Sequence, residues 1–491
     1  MARIDEIPPE ILGVVFEIGI HASGIRSLVP LLLVCRNWRD IANSTPRLWG
    51  IIAASKQSSP ASLEKQIAKA KASPLSLTIE NIAQNRKFKV VMERLRSLSE
   101  NWVNLQVGTD FLAGLHLADL HSLRNLTLSN TQRFTDDSQE FFSRSNTPAL
   151  QSQLQYFEAL TLPKQWIIDF LGPSLLFLRI VGNFQAHSQN PKLNTGKADI
   201  GNTWSYLSRA RNAITIELEN ITHYSESFIR PPPTIHLQHL TNLRLKKVRN
   251  WPLLLSVIAA PSLQLLSIDQ SDNSNRTSHP RWQYWNHYWH HIPTQNDEFA
   301  AASLFSQWSN PKFLPPSLHT LELLECLEVD DIPYFVRWLA RLPNLVRLVI
   351  QDSENALGKA ADTSTDGNLF KALSSPQIWG IPGENQPTWL CPSLMILYID
   401  AQQEIMDLIP IAQARGGRVV SFVPNFVPPA RLRRITAHLC VTGEQKDIDK
   451  FRLMVDETFC ICISCELHIE RTSASSCTRG FSSDLYFRLN F

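Results

Sequence analysis

The sequence predicts an α/β fold: a three-helix module at the N-terminus, then an irregular leucine-rich-repeat solenoid, then a C-terminal α+β cap. Three observations support this prediction. The first fifty residues carry apolar side chains at helical spacing, the pattern L-x-x-L-x-L recurs through the middle, and the last part alternates apolar and polar residues. Leucine alone supplies 64 of the 491 residues. Because both a helical and a strand period are present, helices and strands are expected together.

The composition excludes several classes of protein. The chain is 44% apolar and 19% charged, which is typical of a folded soluble protein rather than a disordered one. Its net charge is only +2, so no broad basic surface for nucleic acid or a membrane is expected. No membrane span or secretory signal is visible, and eight cysteines are too sparse to staple the fold. We expect a cytoplasmic or nuclear protein without a cofactor.

Residues 4–52 predict a small helical module. A first helix begins at the Pro8–Pro9 pair, because proline suits the first helical position, and is expected to end near Gly19. A second helix is predicted over residues 31–42, whose apolar side chains recur about every 3.6 residues. The segment 45–49 then adds one more large aromatic side chain.

Three short helices cannot bury all of these apolar side chains among themselves, since small domains cover a poor fraction of their own surface. Burying one leucine-sized side chain yields about 1.5–3 kcal/mol, so the uncovered surplus favours association with another protein. The alternative interpretation is a helical cap that packs on the next domain.

Three segments of this module resemble the F-box motif, particularly its version in fungal F-box proteins. They are Ile-Pro-Pro-Glu-Ile-Leu at 7–12, Val-Cys-Arg-Asn-Trp-Arg-Asp-Ile-Ala at 34–42 and Thr-Pro-Arg-Leu-Trp at 45–49. The resemblance implies docking on the Skp-type linker subunit of a cullin–RING ubiquitin ligase. The family's contact positions, on the partner or behind it, correspond to Ile7, Pro8, Pro9, Ile11, Leu12, Val34, Cys35 and Trp38. Ile7 replaces the family's usual leucine, which has a similar volume.

Repeated strands are predicted downstream, in residues 74–425. A linker helix within residues 56–73 precedes them, and Leu75–Ile79 alternates with the period of a strand. The strand pattern of leucine-rich repeats then recurs, often after Pro-Ser-Leu or Pro-Asn-Leu. Its copies begin at Leu123, Leu175, Ile214, Leu240, Leu263, Leu318, Leu345 and Leu394.

The copies are unevenly spaced. Regular repeats recur every 20–29 residues. Here Leu245 and Ile268 are 23 residues apart, which fits that range, but Ile268 and Leu323 are 55 residues apart, which does not. We therefore expect a degenerate array with helical insertions, including a divergent strand within residues 154–162. F-box proteins often carry such repeats as their target-binding part, and the resemblance agrees. The alternative is an ordinary doubly wound α/β sheet.

One insertion, residues 279–291, is rich in aromatic residues and histidine. Aromatic side chains with a polar group are favoured at binding surfaces, which suggests a candidate target-binding patch. The same residues could instead pack on the array, and the three histidines have a spacing compatible with a metal. The patch comprises Trp282, Tyr284, Trp285, Tyr288 and Trp289.

The C-terminal segment, residues 426–491, predicts a β-α-β cap, because the end of a repeat array needs a cover. The closely spaced thiols of Cys460, Cys462 and Cys465 are candidate zinc ligands. On a strand, however, Cys465 points away from the other two. We therefore interpret these thiols as packing residues and predict no metal site.

No phosphate-binding loop, dinucleotide fingerprint, zinc-protease motif or nucleophile elbow is present, so the sequence predicts no enzyme. The leading hypothesis is a substrate-recognition adaptor of a Skp–cullin–F-box type ubiquitin ligase. Its F-box would bind the linker subunit, and its repeats would bind an unknown target protein. The alternative is a non-catalytic scaffold or protein-interaction protein that acts outside a ubiquitin ligase.

Overall fold

The computed structural model describes residues 7–80, 82, 85–112, 120–129, 153–162, 164–182, 200–221, 234–248, 251–271, 315–327, 332–352, 357, 368–379, 386–401, 405–415 and 429–438. The chain divides into two compact units. The first comprises residues 1–241 and 248–259, and the second comprises residues 242–247 and 260–491.

The first unit begins with four short helices, one more than the sequence predicts. They are α1 (Pro9–Ser23), α2 (Leu28–Val34), α3 (Arg36–Ser44) and α4 (Pro46–Trp49), with a 3-10 turn at Ile25–Ser27. Helix α1 continues past its predicted end at Gly19 to Ser23. The chain turns instead at Gly24, whose φ of 80° favours glycine because it has no side chain to clash.

The prediction of one helix over residues 31–42 is wrong, because the chain breaks at Cys35. This residue is extended (φ −157°, ψ 172°), and its Sγ accepts the N–H of Trp38 at 3.5 Å, which caps α3. Arg39 Nε donates to the carbonyl oxygen of Leu32 at 3.0 Å and so satisfies the end of α2. Residues before and after the break pack on the same core, so their spacing alone does not reveal it.

The remaining elements alternate along the chain. The helices are α5 (Pro60–Ala70), α6 (Lys89–Arg96), α7 (Thr109–Leu112), α8 (Lys164–Phe170), α9 (Ile200–Arg209), α10 (Trp251–Ser256), α11 (Ile332–Leu339), α12 (Leu369–Ser374) and α13 (Ile405–Arg415). The strands are β1 (Ile51–Ala54), β2 (Leu75–Ile79), β3 (Trp102–Gly108), β4 (Asn125–Ser129), β5 (Tyr156–Leu160), β6 (Phe177–Val181), β7 (Thr215–Glu219), β8 (Ile235–His236), β9 (Asn242–Lys246), β10 (Ile258–Ala259), β11 (Leu265–Asp269), β12 (Thr320–Leu324), β13 (Arg347–Asp352), β14 (Ile396–Ala401) and β15 (Arg434–His438).

All of the paired strands named here run parallel. In the first unit, β1 to β7 pair in chain order, and β8 pairs with β10. In the second unit the order is β9, β11, β12, β13, β14 and β15. Within neither unit does the order reverse, as a doubly wound sheet would require.

The strands that follow L-x-x-L-x-L are built alike. Seven of the eight begin two residues after the start of the pattern, so the first leucine lies in the turn before the strand, whereas β7 begins one residue after Ile214. Leu175, for example, is fully buried and its N–H donates to the carbonyl oxygen of Gly172. The later apolar residues of the pattern, such as Leu348 and Ile350, are buried as well. Leucine is therefore repeated because three positions of each copy fill the core.

Polar residues in these turns join successive copies. Asn212 Nδ2 donates to the carbonyl oxygen of Pro173 at 2.8 Å in the first unit. In the second unit, Asn344 Nδ2 donates to the carbonyl oxygen of Pro316, also at 2.8 Å. These bonds satisfy turn carbonyls that strand pairing does not reach, which gives the two asparagines a structural role.

The structure is thus a mixed α/β fold with an N-terminal helical region and parallel strands, as predicted. Strands occur at each predicted copy, and the divergent strand expected within residues 154–162 is confirmed as β5. Strands β1, β3, β8 and β10 were not predicted. The leucine-rich-repeat solenoid stays a prediction, as do the domain bounds 4–52, 56–73, 74–425 and 426–491. In the part of the chain described here, every helix is too short or too polar to cross a bilayer.

Candidate functional site

The four N-terminal helices share a small apolar core. The aromatic rings of Phe16 and Trp38 have centroids 4.9 Å apart and planes inclined at 54°. On α1 the buried side chains recur every four residues, which places them on one side of the helix. The fully buried members of the core are Leu12, Phe16, Ile20, Leu28, Ile41, Ala42 and Leu48.

A second set of apolar side chains points to solvent. On α1 they follow the spacing i, i+3, i+4 and i+7, so they lie together on a side that the core does not use. On α2, two of them are four residues apart. Each is between 52% and 72% exposed. We call this set the apolar face: Ile11, Val14, Val15 and Ile18 of α1, with Val29, Leu33 and Val34 of α2.

Such a surface favours binding. Single exposed apolar residues are common on soluble proteins, but grouped ones mark interaction sites. Fully burying a side chain of this size yields about 1.5–3 kcal/mol, so covering the exposed part of each yields about 1–2 kcal/mol. The apolar face can therefore bind a partner without any charged group at its centre.

The predicted linker-subunit contacts divide into two groups. Leu12 is 2% exposed and belongs to the core, so it supports the surface from inside. Ile7 and Trp38 are half-buried against the same core. The remaining predicted residues are exposed at the surface: Pro8, Pro9, Ile11, Val34 and Cys35.

The sequence reasoning missed most of the exposed apolar residues. The predicted contacts do not include Val14, Val15, Ile18, Val29 or Leu33. A signal was available, because α1 carries apolar residues on two sides while a surface helix of a globular protein usually has one apolar side. The spacing could not tell which of the two sides faces solvent.

The other side of the helical module is bonded to the rest of the first unit. Trp49 Nε1 donates to the carbonyl oxygen of Ala42 at 2.9 Å, which holds the ring of α4 against α3. Lys69 of α5 lies 3.7 Å above the Trp49 ring and donates to Asn43 Oδ1 at 2.8 Å. Gln66 Nε2 donates to the carbonyl oxygen of Ile51 at 2.7 Å. These contacts fix α3 and α4 to α5, and α5 to β1, and they leave the apolar face uncovered.

Gly50 is the single residue between α4 and β1. Its φ of −72° suits any residue, but a Cβ there would lie 2.5 Å from the carbonyl oxygen of Pro74. Close approach of two backbone segments therefore explains the glycine. The helical module joins the first strand without a flexible linker.

The open face of the first unit's sheet carries a cluster of charges around Arg179. Its guanidinium lies 2.9 Å from a carboxylate oxygen of Glu158, 3.1 Å from Glu219 and 3.7 Å from Glu217. Tyr156 donates to Glu158 at 3.3 Å. Burial, and then the charge of Glu158, raise the pKa of Tyr156 to about 12. The tyrosine is thus held neutral as a donor.

A buried arginine organises the end of α13 in the second unit. Arg415 is 1% exposed, and its guanidinium donates to the carbonyl oxygens of Leu373 at 2.8 Å, Cys391 at 3.1 Å and Leu390. Burial lowers the pKa of Arg415 to about 10 and raises the pKa of the neighbouring Cys391 thiol to about 12. Each donated bond satisfies a backbone carbonyl, which gives Arg415 a structural role.

Among the described residues, no three histidine, cysteine, aspartate or glutamate side chains lie close enough to hold a metal ion. The aromatic patch and the cysteine cluster stay predictions, because both lie outside the described residues. These are Trp282, Tyr284, Trp285, Tyr288 and Trp289, and Cys460, Cys462 and Cys465.

Comparison with known protein families gives a match at the helical module. A family model described as F-box-like matches residues 4–52, the segment that contains α1 to α4. No curated protein matches the chain. The F-box-like domain supports a role in protein interactions of the ubiquitin-ligase type, and F-box domains in general bind a Skp-type subunit.

Proposed function

We propose that this protein is a substrate-recognition adaptor of a Skp–cullin–F-box type ubiquitin ligase. The F-box-like module binds the Skp-type linker subunit, and through it a cullin, while the downstream strands bind a target protein. The protein performs no chemistry in this proposal. It raises the effective concentration of the target's lysines near the ubiquitin-charged enzyme by tethering both to one assembly.

The observation that carries this proposal is the uncovered apolar face. Seven apolar side chains of α1 and α2 are each more than half exposed, whereas α3 and α4 are joined to α5 through the contacts of Lys69 with Asn43 and Trp49. A helical cap that closed the downstream strands would turn its surplus apolar residues toward them. Here the surplus points to solvent, which supports docking on a second protein.

The proposed contact follows from exposure. Exposed side chains touch the linker subunit directly, and the half-buried or buried ones hold them in place. The direct contacts are Pro8, Pro9, Ile11, Val14, Val15, Ile18, Val29, Leu33, Val34 and Cys35. The supporting residues are Ile7, Leu12 and Trp38.

Co-purification with the Skp-type subunit tests the proposal. A variant that carries both Ile18→Glu and Leu33→Glu places two carboxylates on the apolar face, where covering them without a partner charge is unfavourable. We expect it to lose the linker subunit. The matched control is Val90→Glu on α6, because Val90 is 63% exposed, close to the 64% of Ile18, and lies outside the apolar face.

Two results contradict the proposal. If the double variant retains the linker subunit as fully as the Val90→Glu control does, the apolar face is not the contact. If the wild-type chain purifies with the linker subunit but never with a cullin, the ubiquitin-ligase role fails. The non-catalytic scaffold would then be the better account.

A further inference from the structure

The second unit places arginines at the starts of β13 and β15, on the face of its sheet that points away from the core. The register of β13, β14 and β15 aligns Arg347, Ile396 and Arg434 in one row. Side chains alternate between the faces of a sheet, and the next residue of each strand is buried, so this row faces away from the core. The buried residues are Leu348, Leu397 and Ile435.

These arginines share little compensating charge. Arg347 Nη2 lies 3.5 Å from Glu322 Oε1, and its buried Nε has no hydrogen-bond partner. Arg433 precedes β15 and is exposed, and Arg434 is half-buried. Within the part of the chain that the structure describes, Arg433 and Arg434 form no ion pair. On this face the guanidinium groups of Arg347 and Arg434 thus accompany one carboxylate, and the exposed Arg433 adds a third positive charge beside them.

The first unit offers a contrast. There a single arginine, Arg179, lies within 3.7 Å of three glutamates. Its charge is satisfied inside the protein and is not available to a ligand. Arg434 is partly exposed and forms no ion pair among the described residues, so it retains donors that can bind an anion from outside.

We infer that the arginine face, defined as Arg347, Ile396 and Arg434 and flanked by the exposed Arg433, binds an acidic segment of the target protein. This inference rests on the proposed function, in which the strands bind the target. A guanidinium group presents paired donors that match the two oxygens of a carboxylate. Because Arg347 and Arg434 stand two strands apart, their backbones are separated by about 9.6 Å. Half-buried Ile396 lies between them.

The geometry defines the chemistry of the bound segment. Two carboxylates separated by about 10 Å require roughly three residues of extended chain, at about 3.3 Å each. The apolar side chain of Ile396 favours an apolar residue between them. The expected ligand is therefore an extended segment in which aspartate or glutamate residues flank a leucine or isoleucine.

Fluorescence anisotropy with the full-length chain tests the inference. The probe is a fluorescein-labelled peptide that contains Glu-Glu-Leu-Glu-Glu, compared with the same peptide carrying glutamine or phosphoserine in place of glutamate. We expect the glutamate peptide to bind, the glutamine peptide not to bind, and added salt to weaken binding. Arg433→Glu combined with Arg434→Glu should weaken binding by about tenfold.

The matched control is Arg337→Glu, since Arg337 is exposed on α11 of the same unit. Equal weakening by this control would overturn the inference, and so would a glutamate peptide that does not bind. Binding of the phosphoserine peptide alone would also overturn it in favour of phosphate recognition. Should the double variant not fold, Arg434→Gln alone gives the same comparison. Binding of the Skp-type subunit by the same variants separates this inference from the proposed function, because that contact uses α1 and α2.

Discussion

Leu33 has the most exposed side chain of the apolar face, at 72%. Full burial of a leucine side chain yields about 1.5–3 kcal/mol, so a partner that covers its exposed part gains about 1–2 kcal/mol. Leu33→Ala should remove most of that gain. We expect the dissociation constant for the Skp-type subunit to rise by about 5- to 30-fold, which corresponds to the same free energy.

The stability of the chain separates this effect from unfolding. Leu33→Ala should change the free energy of unfolding by less than about 0.5 kcal/mol, because the side chain makes few contacts in the folded chain. Leu12→Ala should instead lower it by about 2–5 kcal/mol, because Leu12 is 2% exposed and its removal leaves a cavity. Leu33→Ala on α2 is thus expected to weaken binding without unfolding the chain, whereas Leu12→Ala on α1 is expected to weaken folding.

The assay is calorimetric titration of each purified variant with the Skp-type subunit, accompanied by urea denaturation. Val90→Ala is the matched control, because Val90 is 63% exposed but lies on α6. If Leu33→Ala binds as tightly as Val90→Ala does, the partner does not cover Leu33 and the reasoning from exposure is refuted.

Three further predictions concern the body of the protein. Gly50→Ala should lower the free energy of unfolding by about 1–3 kcal/mol in urea denaturation, because the new Cβ meets the carbonyl oxygen of Pro74. Arg415→Lys should lower it by about 1–3 kcal/mol for each buried carbonyl that lysine leaves unpaired, also in urea. The pKa of Tyr156 is raised from 10.0 to about 12, so its contribution to stability is present below pH 10 and is lost as the pH rises through 12. Tyr156→Phe should therefore flatten the fall of unfolding free energy over that range, measured by denaturation at a series of pH values.

Each of these predictions has a control at an exposed or open position. A Cβ at Gly19 would meet nothing within 4 Å, so Gly19→Ala should not destabilise the chain. Arg337→Lys and Tyr334→Phe change exposed side chains and should leave the unfolding curves unaltered. Equal losses in a variant and its control would contradict the explanation given for that site.

The strands were the most predictable part of the fold. The L-x-x-L-x-L pattern identifies them because three of its positions are buried in each copy, as at Leu345, Leu348 and Ile350. Strands β1 and β3 escaped prediction because they lack the leading leucine. Strand β3 begins instead at Trp102, and its pairing with β2 shifts register at the start.

The break at Cys35 could not be predicted from spacing. The residues of α2 and α3 face one core, so their apolar positions continue a single helical pattern through a residue that is extended. Cysteine is also an uncommon helix cap, since serine, threonine, aspartate and asparagine are preferred. Only the hydrogen bond from Trp38 to Cys35 Sγ reveals its role.

The candidate site could be located from the sequence, but the sequence did not tell which side of α1 packs on the core and which side is exposed. Residues 4–52 carried both the motif and the apolar surplus. Leu12 and Ile11 are adjacent and similar in character, yet one is 2% exposed and the other 54%. The difference arises from how α1 packs on α3 and α4, which depends on the whole module rather than on either residue.

Hydrogen–deuterium exchange on the full-length chain, with and without the Skp-type subunit, tests the central claim most directly. We predict that amide exchange slows in α1 and α2 when the subunit is added and stays unchanged in α6. Unchanged exchange in α1 and α2, with slowing elsewhere in the chain, would show that the partner binds another surface and would contradict the account.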